Sequence, residues 1–178
     1  MSASARNSNA LVLSSGVRRE ACARRRRPLT ALAATVLLLV AISPPATAAS
    51  AGDLLDLAAF KGQVVYLDFW ASWCAPCRES FPWMNRLQAE FGHDGLVVIA
   101  VNVDRERADA ERFLREHPGQ FRIVYDPEGL LPEKFGVRGM PTSFLIDRSG
   151  RVHSRHEGFL VRDRDALTQQ IRALTLTH

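Results

Sequence analysis

Val64 to Trp70 is a near-continuous run of β-branched and aromatic residues, long enough for one strand and without a polar face. Such a run predicts a strand buried on both sides, as in sheets covered by helices. Leu96 to Val103 repeats the pattern. Between them Phe81, Met84, Leu87 and Phe91 recur at helical spacing, Pro82 should kink that helix, and Gly92 offers a stop. Upstream, Leu54, Leu55, Leu57 and Phe60 make a short amphipathic start closed by the turn Lys61-Gly62. Downstream the pattern predicts a helix over Arg107 to His117 with Phe113 and Leu114 inward, a strand over Phe121 to Tyr125 and a short helix over Glu128 to Phe135. Ser143 to Asp147 reads as a strand, Arg148-Ser149-Gly150 as a hairpin turn, Val152 to Gly158 as the returning strand, and Asp163 to Leu174 as a closing helix. Strands alternating with helices, then a hairpin and a helix, predict an α/β fold with a sheet covered on both sides.

The first 48 residues do not fit that pattern. Leu29 to Ile42 is a run of fourteen residues without a charge, preceded by Arg24-Arg25-Arg26-Arg27 and followed by Pro44-Pro45 and the small-residue site Ala46-Thr47-Ala48. This is the layout of a secretory signal, with cleavage expected after Ala48. Residues 29–42 are short for a spanning helix, which needs about 17–25 apolar residues, and an uncleaved membrane tether is the alternative. The chain therefore divides into a signal peptide over 1–48 and a working domain over 49–178.

Removing the leader reverses the charge balance. The whole chain of 178 residues carries 23 basic and 19 acidic groups, a formal +4. Seven of the arginines and one acid, Glu20, lie in the leader, so the domain keeps 16 basic and 18 acidic groups, a balance of −2. No basic surface for nucleic acid survives this division. About 130 residues suffice for one compact domain with its own core.

Of the three cysteines, Cys22 belongs to the leader, and Cys74 and Cys77 remain. Trp73-Cys74-Ala75-Pro76-Cys77 follows an apolar strand and opens a helix. The first helical turn brings the two sulfurs together and points the positive end of the helix dipole at Cys74, stabilising a thiolate there. A thiolate is the species that attacks disulfides, so the pattern predicts dithiol–disulfide exchange. A structural staple would gain little from so short a loop. A structural zinc site needs four ligands and finds no second cysteine pair, while His153 and His156 fall on opposite faces of a strand; no metal site and no cofactor beyond the cysteine pair is expected. Asp68 lies inside the apolar run Val64 to Trp70, where burial should raise its pKa and let it hold a proton near neutral pH. A structural aspartate bonded to backbone is the alternative.

With Asp68-Phe69-Trp70-Ala71-Ser72-Trp73-Cys74-Ala75-Pro76-Cys77, then Pro82, then Gly139-Met140-Pro141-Thr142, the chain resembles the thioredoxin superfamily over about residues 53–174. The phrase around Cys74, with an additional helix and strand between Val103 and Gly139, is similar to the TlpA-like exported disulfide reductases, which include the cytochrome c maturation thioredoxins. The resemblance implies a thioredoxin-like mixed sheet flanked by helices, with the extra helix and strand inserted before a cis-proline loop. It implies that Cys74 is the nucleophile, that Cys77 resolves the mixed disulfide, and that Asp68 lies beneath the pair and takes the Cys77 proton. It also implies a cis bond before Pro141, with the Met140 backbone pairing with the substrate strand.

Around the pair, Trp73, Ala75, Pro76, Met140 and Pro141 are the expected substrate contacts; Trp70 and Trp73 can equally shield the disulfide. Pro76 holds the first turn, and the uncharged Ala75 favours a reductant over a strong oxidant. Glu79 is expected to complement the helix dipole, and Arg78 and Arg138 to be rim charges. The leading expectation is thus a periplasmic or otherwise extracytoplasmic thiol:disulfide reductase. Its clients would be cysteine pairs of apocytochromes or copper-site assembly proteins, and a membrane electron donor would recharge it. The alternatives are a disulfide-donating oxidant, a thiol peroxidase, disfavoured by Ala71 where that family places Thr or Ser, and a Cu(I)-binding chaperone using Cys74 and Cys77, with Met140 as a further ligand.

Overall fold

The computed structural model of the protein describes residues 50–176. The leader expected over 1–48 lies outside the described residues. Among those described, no helix is long and apolar enough to cross a membrane.

Five strands form one mixed sheet: β1 (Val64–Trp70), β2 (Leu96–Asn102), β3 (Arg122–Tyr125), β4 (Thr142–Ile146) and β5 (Val152–Glu157). Their spatial order is β3-β2-β1-β4-β5. β1 pairs parallel with β2 and β2 parallel with β3, whereas β4 runs antiparallel to both β1 and β5. All seven residues of the central β1 are buried, as its apolar run predicts. The segment between β2 and the cis-proline loop supplies α3 (Arg107–Glu116), the edge strand β3 and α4 (Leu130–Phe135), so the inserted strand forms one margin of the sheet. α2 (Ala75–Phe91) and α5 (Arg164–Leu176) complete the main helices, and a single turn, α1 (Ala51–Leu54), precedes a 3-10 turn over Leu57–Phe60.

Strand alternation divides the core into two layers. Val64, Tyr66 and Trp70 of β1 join Phe81, Met84 and Leu87 of α2, Phe113 of α3 and Ile171 of α5 in one cluster. Val65, Leu67 and Phe69 point the other way, towards Leu131 of α4 and Phe144. The first layer carries an aromatic nest: Trp70, Phe81 and Phe113 contact one another with ring centroids 4.8–5.0 Å apart. Both cysteines belong to that layer.

Local differences from the sequence expectation have local causes. Pro82 sits inside α2 without ending it. Both Pro82 and Arg78, whose carbonyl the proline leaves without its helical donor, are exposed, so water can serve that group. Gly92 is the C-cap that ends α2, as expected, but with φ −58°; a 3-10 turn follows, and the left-handed reversal falls on Gly95 at φ +89°. The helix expected from Glu128 starts at Leu130, because the buried Asp126 carboxylate accepts the Leu130 and Leu131 N–H groups and sets the start there. Glu79 is not in the first turn of α2, which contains no acid.

β3 is shorter than β2, and its pairing begins only at Ile99. The Gln88 side chain of α2 takes the place of the missing strand: its Oε1 accepts the Val98 N–H at 2.8 Å, and its Nε2 donates to the Leu96 carbonyl at 3.3 Å. Gln88→Leu leaves both backbone groups without a partner and is expected to cost about 1–3 kcal/mol. Urea unfolding of the variant beside the parent checks this, with a lower midpoint and an unchanged slope as the expected result.

Candidate active site

β1 ends at Trp70 and α2 begins at Ala75, and the four residues between them carry the chain from the sheet into the helix. Ala71 is fully buried. Its carbonyl accepts the Cys74 N–H at 3.1 Å, closing a turn that leaves Cys74 as the N-cap of α2 in extended conformation, φ −83° and ψ 105°. No side chain caps this helix, so its positive end is left to face the Cys74 sulfur. Pro76 lies in the first turn, where a missing N–H costs nothing. Cys74 and Cys77 are joined by a disulfide with their Cα atoms 5.3 Å apart.

The resemblance makes Cys74 the nucleophile of the pair. In the disulfide form both cysteines are buried, Cys74 at 3 % and Cys77 at 0 % exposure. Trp73 is the exposed neighbour, at 68 %, and Ala75 is exposed beside it. The Met140–Pro141 bond is cis. Pro141 is buried, its carbonyl accepts the Gly158 N–H at 2.8 Å, and Met140 packs half-buried against the layer that holds both cysteines. Trp73, Ala75 and Pro76 thus flank the pair along the chain, and Met140 packs against the core layer that holds both cysteines. Among the described residues no cluster of three or more His, Cys, Asp or Glu side chains could hold a metal.

Asp68 is buried on β1 between Tyr66 and Trp70, on the sheet face that carries both cysteines. Its Oδ2 has no hydrogen-bond partner. Burial pushes its carboxyl well above the usual carboxylate range. Burial likewise pushes the Tyr66 hydroxyl above its usual range; the Asp68 charge adds to this, and a hydrogen bond with Ser143 opposes it.

One functional-looking residue escapes the sequence reading. Asp104, only 6 % exposed, accepts hydrogen bonds from the Ser72 N–H at 2.9 Å, the Ser72 hydroxyl at 3.0 Å and the Asn102 amide at 2.8 Å. It ties the loop before Cys74 to the end of β2. The one signal in the sequence is a polar pair, Asn102 and Asp104, closing an apolar run. Beside this loop, Trp73 and Arg78 face Asp109, Arg112 and Glu116 of α3 across an open groove of ≈ 370 Å³.

A strand-to-helix turn carrying Cys-x-x-Cys, a buried acid on the strand below and a cis-proline loop at the head of the neighbouring strand define a thioredoxin-like protein. Residues 39–171 match the Redoxin family model, and the chain belongs to that family. It is 35 % identical over 107 residues to the thiol-disulfide oxidoreductase ResA of Bacillus thuringiensis subsp. konkukian, covering 60 % of this chain and 62 % of the relative. The chain thus spans less than two thirds of the length of this curated relative. The match to ResA of Bacillus subtilis is 33 % over 101 residues, 57 % of this chain and 56 % of that one. A solved structure from Chlorobium tepidum, described as a thiol:disulfide interchange protein DsbE, superposes with a TM-score of 0.66 at 54 % identity, covering 67 % of this chain and 84 % of that chain. The exposed lipoprotein thioredoxin of Streptococcus pneumoniae gives a TM-score of 0.58 at 35 % identity, covering 66 % and 90 %.

Burial of Asp68 has a thermodynamic consequence. Its unfolded value lies near 3.8, and the folded value is higher. The folded state therefore binds the proton more tightly, so this group's stabilisation is fully present below about pH 4 and falls by up to about 1.4 kcal/mol per pH unit as pH rises towards the folded value. Asp68→Asn is expected to flatten that decline and to be more stable than the parent at neutral pH. Denaturant unfolding at a series of pH values is the check; parallel curves for the two proteins are the contrary result.

Proposed function

We propose that the protein is an exported thiol:disulfide oxidoreductase that works as a reductase of client protein disulfides. The observation that carries this reading is the Cys74–Cys77 disulfide at the uncapped start of α2, on the same side of the sheet as a buried carboxyl whose Oδ2 has no hydrogen-bond partner. In the reduced protein Cys74 is the nucleophile. Its thiolate attacks a client disulfide, forming a mixed disulfide and releasing one client thiolate. Cys77 gives its proton to Asp68, attacks the Cys74 sulfur and releases the second client thiolate, so that two electrons pass to the client and the Cys74–Cys77 bond is restored. Desolvation suits Asp68 to this task, because a carboxyl that keeps its proton to higher pH is a usable acid and base near neutrality.

Trp73, Ala75 and Pro76 on one side, and Met140 and Pro141 on the other, form the client-binding rim. The relatives named thiol-disulfide oxidoreductase and thiol:disulfide interchange protein support the same chemistry. Export follows from the signal-like segment over 1–48, with residues 29–42 as a tether if it is retained. Clients are proteins with a cysteine pair, such as apocytochromes or copper-site assembly proteins, and a membrane thiol–disulfide relay recharges the pair; no cofactor beyond the dithiol is required. Ala71 presents only a methyl group where a peroxidatic site places a hydroxyl, which favours this reading over a peroxidase.

The reduction potential of the full-length chain decides the direction of transfer. A value near thioredoxin's, about −270 mV, is expected for a reductant, and one near about −120 mV would make the protein a disulfide donor. Cys77→Ser should accumulate a mixed disulfide through Cys74, seen by mass spectrometry. Asp68→Asn should slow client reduction about tenfold or more while leaving the protein folded. Unchanged kinetics for that variant across pH 6–9 remove Asp68 from the mechanism.

A further inference from the structure

Proton transfer through Asp68 leaves a physical problem. Asp68 is 2 % exposed, and its Oδ2 has no partner. A group that takes a proton in every cycle must also lose it, and burial beneath α2 gives no open route to water.

The strand register supplies one. Asp68 on β1 lies directly opposite Ser143 on β4, and Ser143 lies directly opposite His156 on β5. Residues directly opposite one another in antiparallel strands share a sheet face, with Cβ atoms about 4.5–5.5 Å apart. The three side chains therefore form one lateral row across three strands, on the face covered by α2 and α5. Two contacts fix that face: Ser154, two residues from His156 on β5, hydrogen-bonds Gln170 of α5 at 3.0 Å, and the Tyr66 hydroxyl bonds Ser143. Arg155, between them, points the other way, over the Phe144 ring.

Polarity and exposure change in order along the row. Ser143 is 4 % exposed, and its hydroxyl can both accept and donate. The His156 side chain is 29 % exposed, with its Nε2 buried and unbonded, 3.5 Å from Asp163 Oδ2. Asp163 is 28 % exposed and lies 3.9 Å from Arg162 Nε at the surface. An imidazole accepts a proton at one nitrogen and releases one from the other, which suits His156 to the junction between a buried hydroxyl and water.

We propose that His156, through Ser143, relays the Asp68 proton to solvent. This rests on the dithiol mechanism above. The proton leaves the Cys77 thiol for the Asp68 carboxylate, passes to the Ser143 hydroxyl as that hydroxyl gives its own proton to the imidazole opposite it in the strand register, and exits from the imidazole to water. Cys74 loses its own proton to solvent on forming the thiolate, so two protons leave the dithiol, one from each cysteine, and the two client thiolates take up two from solvent. His156 and Ser143 touch no reacting sulfur and act only through Asp68.

The test uses the reduced full-length chain and a peptide carrying a Cys-x-x-Cys disulfide, with single-turnover resolution of the mixed disulfide followed by alkylation and mass spectrometry. His156→Gln is expected to slow resolution about tenfold with the reduction potential unchanged, because a relay alters a rate and not an equilibrium. Added imidazole should restore rate to His156→Ala, and His156→Gln placed on Asp68→Asn should cause no further loss. Ser143→Thr, which keeps the hydroxyl, should stay close to the parent, and Ser143→Ala should resemble His156→Gln. A parental rate in His156→Gln, a loss that multiplies fully with that of Asp68→Asn, or a shifted potential overturns the relay. Failure of the parent protein to react with the peptide overturns the oxidoreductase reading instead, and shows before any variant is made.

Discussion

The central strand β1 is buried on both faces and paired on both edges, and the site inherits its geometry from that. A strand enclosed in this way cannot slip by one residue without turning Val65, Leu67 and Phe69 into the other layer, so its register is strongly determined. Its end point then sets where Ala71 to Cys74 leave the sheet, and hence where α2 begins. The Trp70–Phe81–Phe113 nest clamps β1, α2 and α3 together beneath the cysteines, each ring burying apolar area worth about 1.5–3 kcal/mol. The disulfide is therefore carried on a rigid support, with the Asp104 carboxylate holding the connecting loop from the side.

The same enclosure imposes a cost. The carboxyl on β1 is buried and its Oδ2 accepts no hydrogen bond from the protein, so the fold carries a destabilising group at its centre whenever that group ionises. A core selected for stability alone would place a leucine or valine at position 68. Its presence on the cysteine face is the physical link between packing and chemistry, because burial that penalises the charge also brings proton transfer towards neutral pH. Burial equally isolates Asp68 from solvent, and the row through Ser143 and His156 on that sheet face grades from buried to partly exposed.

Much of the fold is legible in the residues. β1 and β2 are readable because strands buried on both faces allow no polar interruption, and the α2 stripe of Phe81, Met84, Leu87 and Phe91 because one helix face meets the sheet. Boundaries were less legible where side chains from elsewhere decide them. Asp126 delays α4, Gly95 carries the left-handed reversal after the Gly92 cap, and Pro82 lies inside α2 where both it and Arg78 are exposed. Glu79 falls beyond the first turn once the helix start is fixed at Ala75.

By itself the sequence determined the cysteine pair, its place between a buried strand and a helix, the anomalous Asp68 and the proline at 141. These are properties of local spacing and of which residue types tolerate burial, and both can be read along one chain. Tertiary structure alone decided that Asp104 holds the Ser72 loop, that Gln88 stands in for a missing strand, and that Asp68, Ser143 and His156 share a row. Those relations join residues 8 to 88 positions apart, and only strand pairing and helix packing bring such positions together.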